Sequence, residues 1–113
     1  MKISFDYDSV LEYEEMQDLA KKHIDLGSEV WITTSRTLRR NAVHIVHEDL
    51  LNVARELGIE KNIQFTNYEA KSGYLSGFDI HIDDDKTEVD QINESQGKCI
   101  GVHYERRLIS RRL

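Results

Sequence analysis

Apolar residues along this chain follow two alternating rhythms. Short β-branched and aromatic runs are separated by stretches in which apolar residues return every third or fourth position. The runs predict strands over 2–6, "EVWITT" 29–34, "NIQFT" 62–66, "FDIHI" 78–82 and "KCIGVHY" 98–104. Between the first two, Leu11, Met16, Leu19, Ile24 and Leu26 predict a helix over 12–26, ended by Gly27. Val43, Val46, Leu50, Ala54 and Leu57 predict one long amphipathic helix over 37–58, closed by Gly58. A short acidic helix is expected over 86–94.

Strands that alternate with helices, and are mostly apolar throughout, imply a parallel sheet covered on both faces. The expected fold is therefore α/β: a single-domain, three-layer α/β/α Rossmann-like arrangement with a five-stranded, mainly parallel sheet. Right-handed crossovers gather the strand C-termini on one edge, and open α/β sheets bind ligands just outside it. The first strand delivers Asp6 and Asp8 to that edge, the second Thr33, Thr34 and Ser35, and the fourth Asp83, Asp84 and Asp85. Lys71, in "NYEAKSGY", lies between the third and fourth. A strand buried on both faces cannot carry two carboxylates in its middle, so Asp6 and Asp8 belong at its exit.

Composition narrows the class. The chain's 113 residues suffice for one domain with a real core. At 39% hydrophobic and 32% charged it falls among ordinary globular proteins. No apolar stretch approaches the roughly 18 residues of a membrane span. The N-terminus also lacks a signal peptide's basic and apolar regions, so no membrane partner is expected. The single cysteine, Cys99, cannot form an internal disulfide, which makes a reducing, cytoplasmic setting the expectation. A formal charge of −6 argues against binding nucleic acid by bulk charge alone. The charge is uneven: "DIHIDDDKTEVD" is acidic, while Arg106, Arg107, Arg111 and Arg112 close the chain. Residues 1–105 are expected to form the domain and 106–113 a basic C-terminal tail.

Acids, hydroxyls and an amine converging on one rim suit phosphoryl transfer. That chemistry needs an acceptor nucleophile, a cation against the phosphate charge and donors for the phosphate oxygens. A carboxylate can be the nucleophile, and Mg²⁺ takes one or two protein carboxylates while leaving room for phosphate. A second acid two residues on can exchange protons with the leaving group and then with water.

In these features the chain resembles the haloacid dehalogenase (HAD) superfamily of phosphatases over nearly its whole length. The first motif of that family, DxDxT or DxDxV after an apolar strand, appears as Asp6-Tyr7-Asp8-Ser9-Val10. The second, an apolar strand ending in Thr or Ser, appears as "VWITTSR"; the third, a lysine before the fourth strand, is Lys71; the fourth, paired acids after an apolar strand, is "FDIHIDD". The resemblance implies Asp6 as nucleophile and Mg²⁺ ligand, and Asp8 as general acid/base with its backbone carbonyl on the metal. It implies Asp83 as the other direct ligand, and Asp84 as a ligand through water or a support for Lys71. Thr34, with Thr33 as the alternative register, and Lys71 would hold the phosphoryl group, with Ser35 and Arg36 beside them.

Family members often carry a cap domain after the first or third strand. Here about twenty residues separate Val10 from Trp31, and five separate Phe65 from Lys71, which leaves room for one helix and for nothing folded. A capless, open site is expected. By analogy it suits a large or polymer-attached phosphate, a nucleic-acid end among them, or is closed by a neighbouring subunit of a homo-oligomer. Two rival classes remain: a catalytically idle binding module of the same fold, and a receiver-like phospho-acceptor. The receiver would want its acceptor Asp after the third strand, where "NIQFTN" has none.

Other candidates have plainer readings. His44 and His47 are expected as exposed helix residues, Cys99 and Trp31 as core, and His81 and His103 as packed or strand-end residues. Asp85 is expected to favour the start of the following helix, and Ser35 or Thr37 to cap the helix before the third strand.

Overall fold

The computed structural model describes residues 1–38 and 47–106. Five strands form one sheet: β1 (Lys2–Phe5), β2 (Glu29–Thr34), β3 (Ile63–Phe65), β4 (Ile80–Asp83) and β5 (Ile100–His103). Their order is β3-β2-β1-β4-β5, and every neighbouring pair is parallel. Among the described residues, three α-helices lie between the strands: α1 (Glu14–Asp25), α2 (Glu48–Leu57) and α3 (Lys86–Glu94). A tight π-type turn (Tyr7–Leu11) follows β1, and a 3₁₀ turn (Lys71–Tyr74) precedes β4. The α/β class and the parallel sheet expected from the pattern are thus present. No described helix is long and apolar enough to cross a membrane.

The two faces of the sheet differ in chemistry because side chains alternate along a strand. Ile3, Phe5, Val30, Ile32 and Ile82 join Met16 and Ala20 of α1 and Leu50 and Ala54 of α2 in one apolar core. On the other face a smaller cluster of Leu75, Phe78, Ile92 and Cys99 packs beneath α3, with Trp31 partly buried against it and edge-on to Phe78. That second face also carries a polar row. Ser4 Oγ donates to Thr33 Oγ1 at 2.6 Å, Gln64 Nε2 donates to the same hydroxyl at 3.0 Å, and His81 lies buried beside them in sequence register with Ser4.

Element ends follow local chemistry, with one exception to expectation. Asp85 caps α3, its side chain accepting from the amides of Thr87 and Glu88. Gly58 ends α2 at φ 73°, a conformation that suits glycine. The long helix expected from residue 37 is shorter: α2 begins at Glu48, with His47 at its N-cap. Thr37 and Leu38 are not helical, so neither Ser35 nor Thr37 caps α2, and residues 39–46, with His44 and Val43, lie outside the described residues. The reason is visible at His47. It is buried rather than exposed, its Nε2 lies 2.8 Å from the Thr37 carbonyl, and its ring packs on Phe65. At the far edge, Asn93 of α3 bonds both main-chain groups of Gly101 in β5, accepting from its N–H at 2.8 Å and donating to its carbonyl at 3.1 Å.

Candidate functional site

The order β3-β2-β1-β4-β5 reverses direction between β1 and β4, the place where such sheets open a crevice at their strand C-termini. Asp6 follows β1 and Asp83 ends β4, so the topology alone sets these two carboxylates side by side. Lys71, at the start of the 3₁₀ turn, reaches between them from the second face. Its Nζ lies 3.0 Å from Asp6 Oδ1 and 2.6 Å from Asp83 Oδ2. All three residues are buried, Lys71 to 2% exposure. The lysine main chain is pinned as well, its N–H donating to Glu88 of α3 at 3.0 Å.

Asp83 accepts from two further donors. His81, two residues earlier on the same face of β4, donates from Nε2 to Asp83 Oδ2 at 2.7 Å, and the Asp85 N–H donates to Oδ1 at 3.0 Å. Burial by itself would raise the Asp83 pKa. The His81 hydrogen bond and the Lys71 ammonium outweigh it and hold the group far below the usual carboxylate range. Asp6 goes the other way. Burial pushes its carboxyl up to about 8 despite Lys71, and the neighbouring Asp83 charge adds to the rise. Burial also tends to discharge Lys71, but Asp6 and Asp83 reverse that and leave its pKa raised. Burial lowers the His81 pKa, which keeps the ring neutral, and its Nδ1 has no hydrogen-bond partner among the described residues.

Two buried carboxyl groups share one ammonium. Asp84, exposed at the mouth, adds a third carboxylate: Asp6, Asp83 and Asp84 each offer an oxygen within 4.8 Å of the others. An all-oxygen set of acidic donors fits a hard divalent cation such as Mg²⁺, whose charge would favour the ionised form of Asp6. Above it opens a hollow of about 360 Å³, bordered by Asp6, Asp8, Ser35, Tyr68, Lys71 and Asp84 among others.

The remaining expected residues take distinct places. Thr34 is fully buried at the end of β2, its hydroxyl accepting the Arg36 N–H at 3.2 Å. Thr33 faces the polar row of the sheet, with its hydroxyl already occupied by Ser4 and Gln64. Ser35 borders the hollow. Arg36 turns its guanidinium onto carboxylates instead: Asp8 at 3.0 and 2.7 Å, and Asp49 of α2 at 2.9 and 3.0 Å. It lies over the Tyr7 ring and within 3.4 Å of His47 Nδ1. Asp8 thus borders the hollow while its carboxylate is gripped from outside the acidic cluster.

His81, Glu88, His47 and Asp49 were not singled out for the site from sequence. His81 had a readable signal, since it stands two residues before Asp83 and so shares its face of the strand. Asp49 and His47 had none, because their role depends on where α2 begins. His103 is exposed at the end of β5, and Arg106 folds back over the Tyr13 ring, paired with Glu15 at 3.2 Å. Arg107 to Leu113 lie outside the described residues.

Comparison with known proteins returns no match: no family model, no curated protein and no solved structure matches this chain.

Proposed function

We propose that this protein is a Mg²⁺-dependent phosphomonoesterase of the haloacid dehalogenase type, working through an aspartyl-phosphate on Asp6. The observation that carries the reading is the buried Asp6–Lys71–Asp83 cluster at the sheet's switch point, with Asp84 at its mouth. Asp6 and Asp84 offer the more accessible oxygens for the cation, with Asp83 and the Asp8 main-chain carbonyl completing its surroundings. The cation would offset the mutual repulsion of carboxylate and phosphate.

Asp6 attacks phosphorus, forming a phosphorus–oxygen bond as the ester bond to the leaving oxygen breaks. That oxygen takes a proton from Asp8. Water then attacks phosphorus, giving its proton to Asp8 as the aspartyl bond breaks and inorganic phosphate departs. Lys71 neutralises the equatorial oxygens and orients Asp6. Ser35 supplies a further donor. The open hollow suits a phosphate on a large or polymeric substrate.

Hydrolysis of p-nitrophenyl phosphate by purified protein tests this directly. Activity should require Mg²⁺, and Asp6→Asn should abolish it while circular dichroism shows the fold intact. Full activity in that variant, or none in the native protein at any magnesium concentration, would end the proposal.

A further inference from the structure

The hollow has two unlike walls. On the β4 side it is bordered by Asp84, Asp85 and Glu88, a wall that attracts a cation and repels any anionic part of a substrate. On the β3 side the border is uncharged, made by Ser35 and Tyr68. Tyr68 is 79% exposed, although its ring is large and apolar. Its backbone is not that of a loose surface loop. Asn67 and Tyr68 both stand in the left-handed region, at φ 53° and 63°. Asparagine tolerates that region, whereas for a bulky aromatic residue it is an uncommon conformation that neighbours must enforce. The enforcement is present: the Tyr68 N–H donates to the Ser35 carbonyl at 2.8 Å and the Asn67 N–H to the Arg36 carbonyl at 3.2 Å. Thr37 Oγ1 donates to Asn67 Oδ1 at 2.6 Å. The main chain that carries the ring is therefore fastened to the same loop that lines the phosphoryl site.

We infer that Tyr68 is a stacking platform for the organic half of the substrate, and that this half is a planar unsaturated ring. The inference rests on the phosphomonoesterase reading, since it takes the hollow as the place of the phosphate. With the phosphate drawn toward Lys71 and the cation held against the acidic wall, the ester's other half leaves over the uncharged border. An exposed aromatic face on a fixed main chain there rewards a ring that can lie on it. An aryl group and a nucleobase share that chemistry.

Calorimetric titration of Asp6→Asn protein in Mg²⁺ tests this with four probes: inorganic phosphate, glycerol 3-phosphate, phenyl phosphate and adenosine 5′-monophosphate. At least one of the ring-bearing probes should bind about fivefold or more tighter than glycerol 3-phosphate. Tyr68→Ala should erase that margin, and Tyr68→Phe should keep it. An advantage for adenosine 5′-monophosphate alone would point to a nucleobase, and one for both ring-bearing probes to any planar group. Equal binding of glycerol 3-phosphate and both ring-bearing probes, or a margin that survives Tyr68→Ala, would overturn the inference. A Tyr68-dependent margin in a protein whose native form hydrolyses nothing would overturn the phosphatase reading and leave the platform standing.

Discussion

Arg36 grips both carboxylate oxygens of Asp8 and, with the other edge of the same guanidinium, both oxygens of Asp49. An arginine expected among the phosphate-binding residues is thereby engaged in fixing an acid at the rim of the site and joining it to the start of α2. Lysine cannot reproduce a grip that spans four oxygens. Arg36→Lys should therefore keep the fold and lower turnover of p-nitrophenyl phosphate by about ten- to a hundredfold, the range expected for a misplaced proton-transfer group. Steady-state kinetics on the two proteins would check it, and unchanged turnover would show that Asp8 needs no anchor.

The Arg36–Asp49 contact also sets a pH dependence. The Arg36 hydrogen bonds are the largest influence on Asp49 and hold its pKa below the ordinary value. Since the folded value is depressed, the stabilisation is complete above the unfolded pKa, near 3.9, and is lost as pH falls through the folded value. Asp49→Asn should lower the thermal midpoint at pH 7. The gap to the native protein should narrow on going to strongly acid solution. Melting curves in matched salt from pH 2 to 7 would show it. A constant gap would mean that the pair contributes no charge-dependent stability.

Lys71 is the sole cation within hydrogen-bonding reach of Asp6 and Asp83 among the described residues. Replacing it with an uncharged side chain leaves two buried acids facing each other. Lys71→Met should cost about 3–5 kcal/mol in urea unfolding, the range for breaking a buried ion pair. Adding Asp6→Asn should recover part of that loss, because it removes one of two acids left crowded together. Additive losses in the double variant would show that the two side chains are not coupled.

Surplus acid at Asp6, Asp83 and Asp84 should make the protein more stable with a divalent cation. Saturating Mg²⁺ at a hundred times its dissociation constant adds about 2.7 kcal/mol by mass action. Differential scanning fluorimetry should show a higher midpoint with Mg²⁺ than with a chelator, and a smaller increment in Asp84→Asn. An equal increment in that variant would take Asp84 out of the cation site.

Gly101 tests the packing of α3 on β5. A β-carbon there would meet the Val89 carbonyl oxygen at 2.9 Å and Val89 Cα at 3.3 Å, both backbone atoms that cannot swing aside. Gly101→Ala should destabilise by about 1–3 kcal/mol through overpacking. Chemical denaturation would measure it, and a neutral result would mean that α3 stands off the strand.

Much of the fold could be read from the order of runs and periods, because parallel strands buried on both faces leave little room for polar residues. Asp6, Lys71, Asp83 and Asp84 could be read as neighbours because the topology places their elements at one edge. What could not be read was the hydrogen bonding around them. Apolar spacing from Val43 to Leu57 looks the same whether the helix starts at Thr37 or Glu48, and its start decides whether His47 and Asp49 face solvent or Arg36. The Arg36 fork likewise depends on the Tyr7–Leu11 turn, which carries Asp8 and in which Ser9 adopts φ 62°. Tyr68 gave no signal, since a left-handed tyrosine is written in the loop's contacts and not in its letters.

The clasp of Asn93 on Gly101 reaches beyond its own corner of the molecule. Ile100 and Tyr104 spend their amides on β4, so Gly101 turns its donor and acceptor toward the open border of the sheet. With both groups satisfied by one side-chain amide, a stray extended segment finds no ladder to join at the middle of that border. The opposite border, β3, is only three residues long. A protein with an uncovered sheet rim at either side would invite strand addition and fibrous self-association; this one closes the first rim with an asparagine and keeps the second too short to serve as a template.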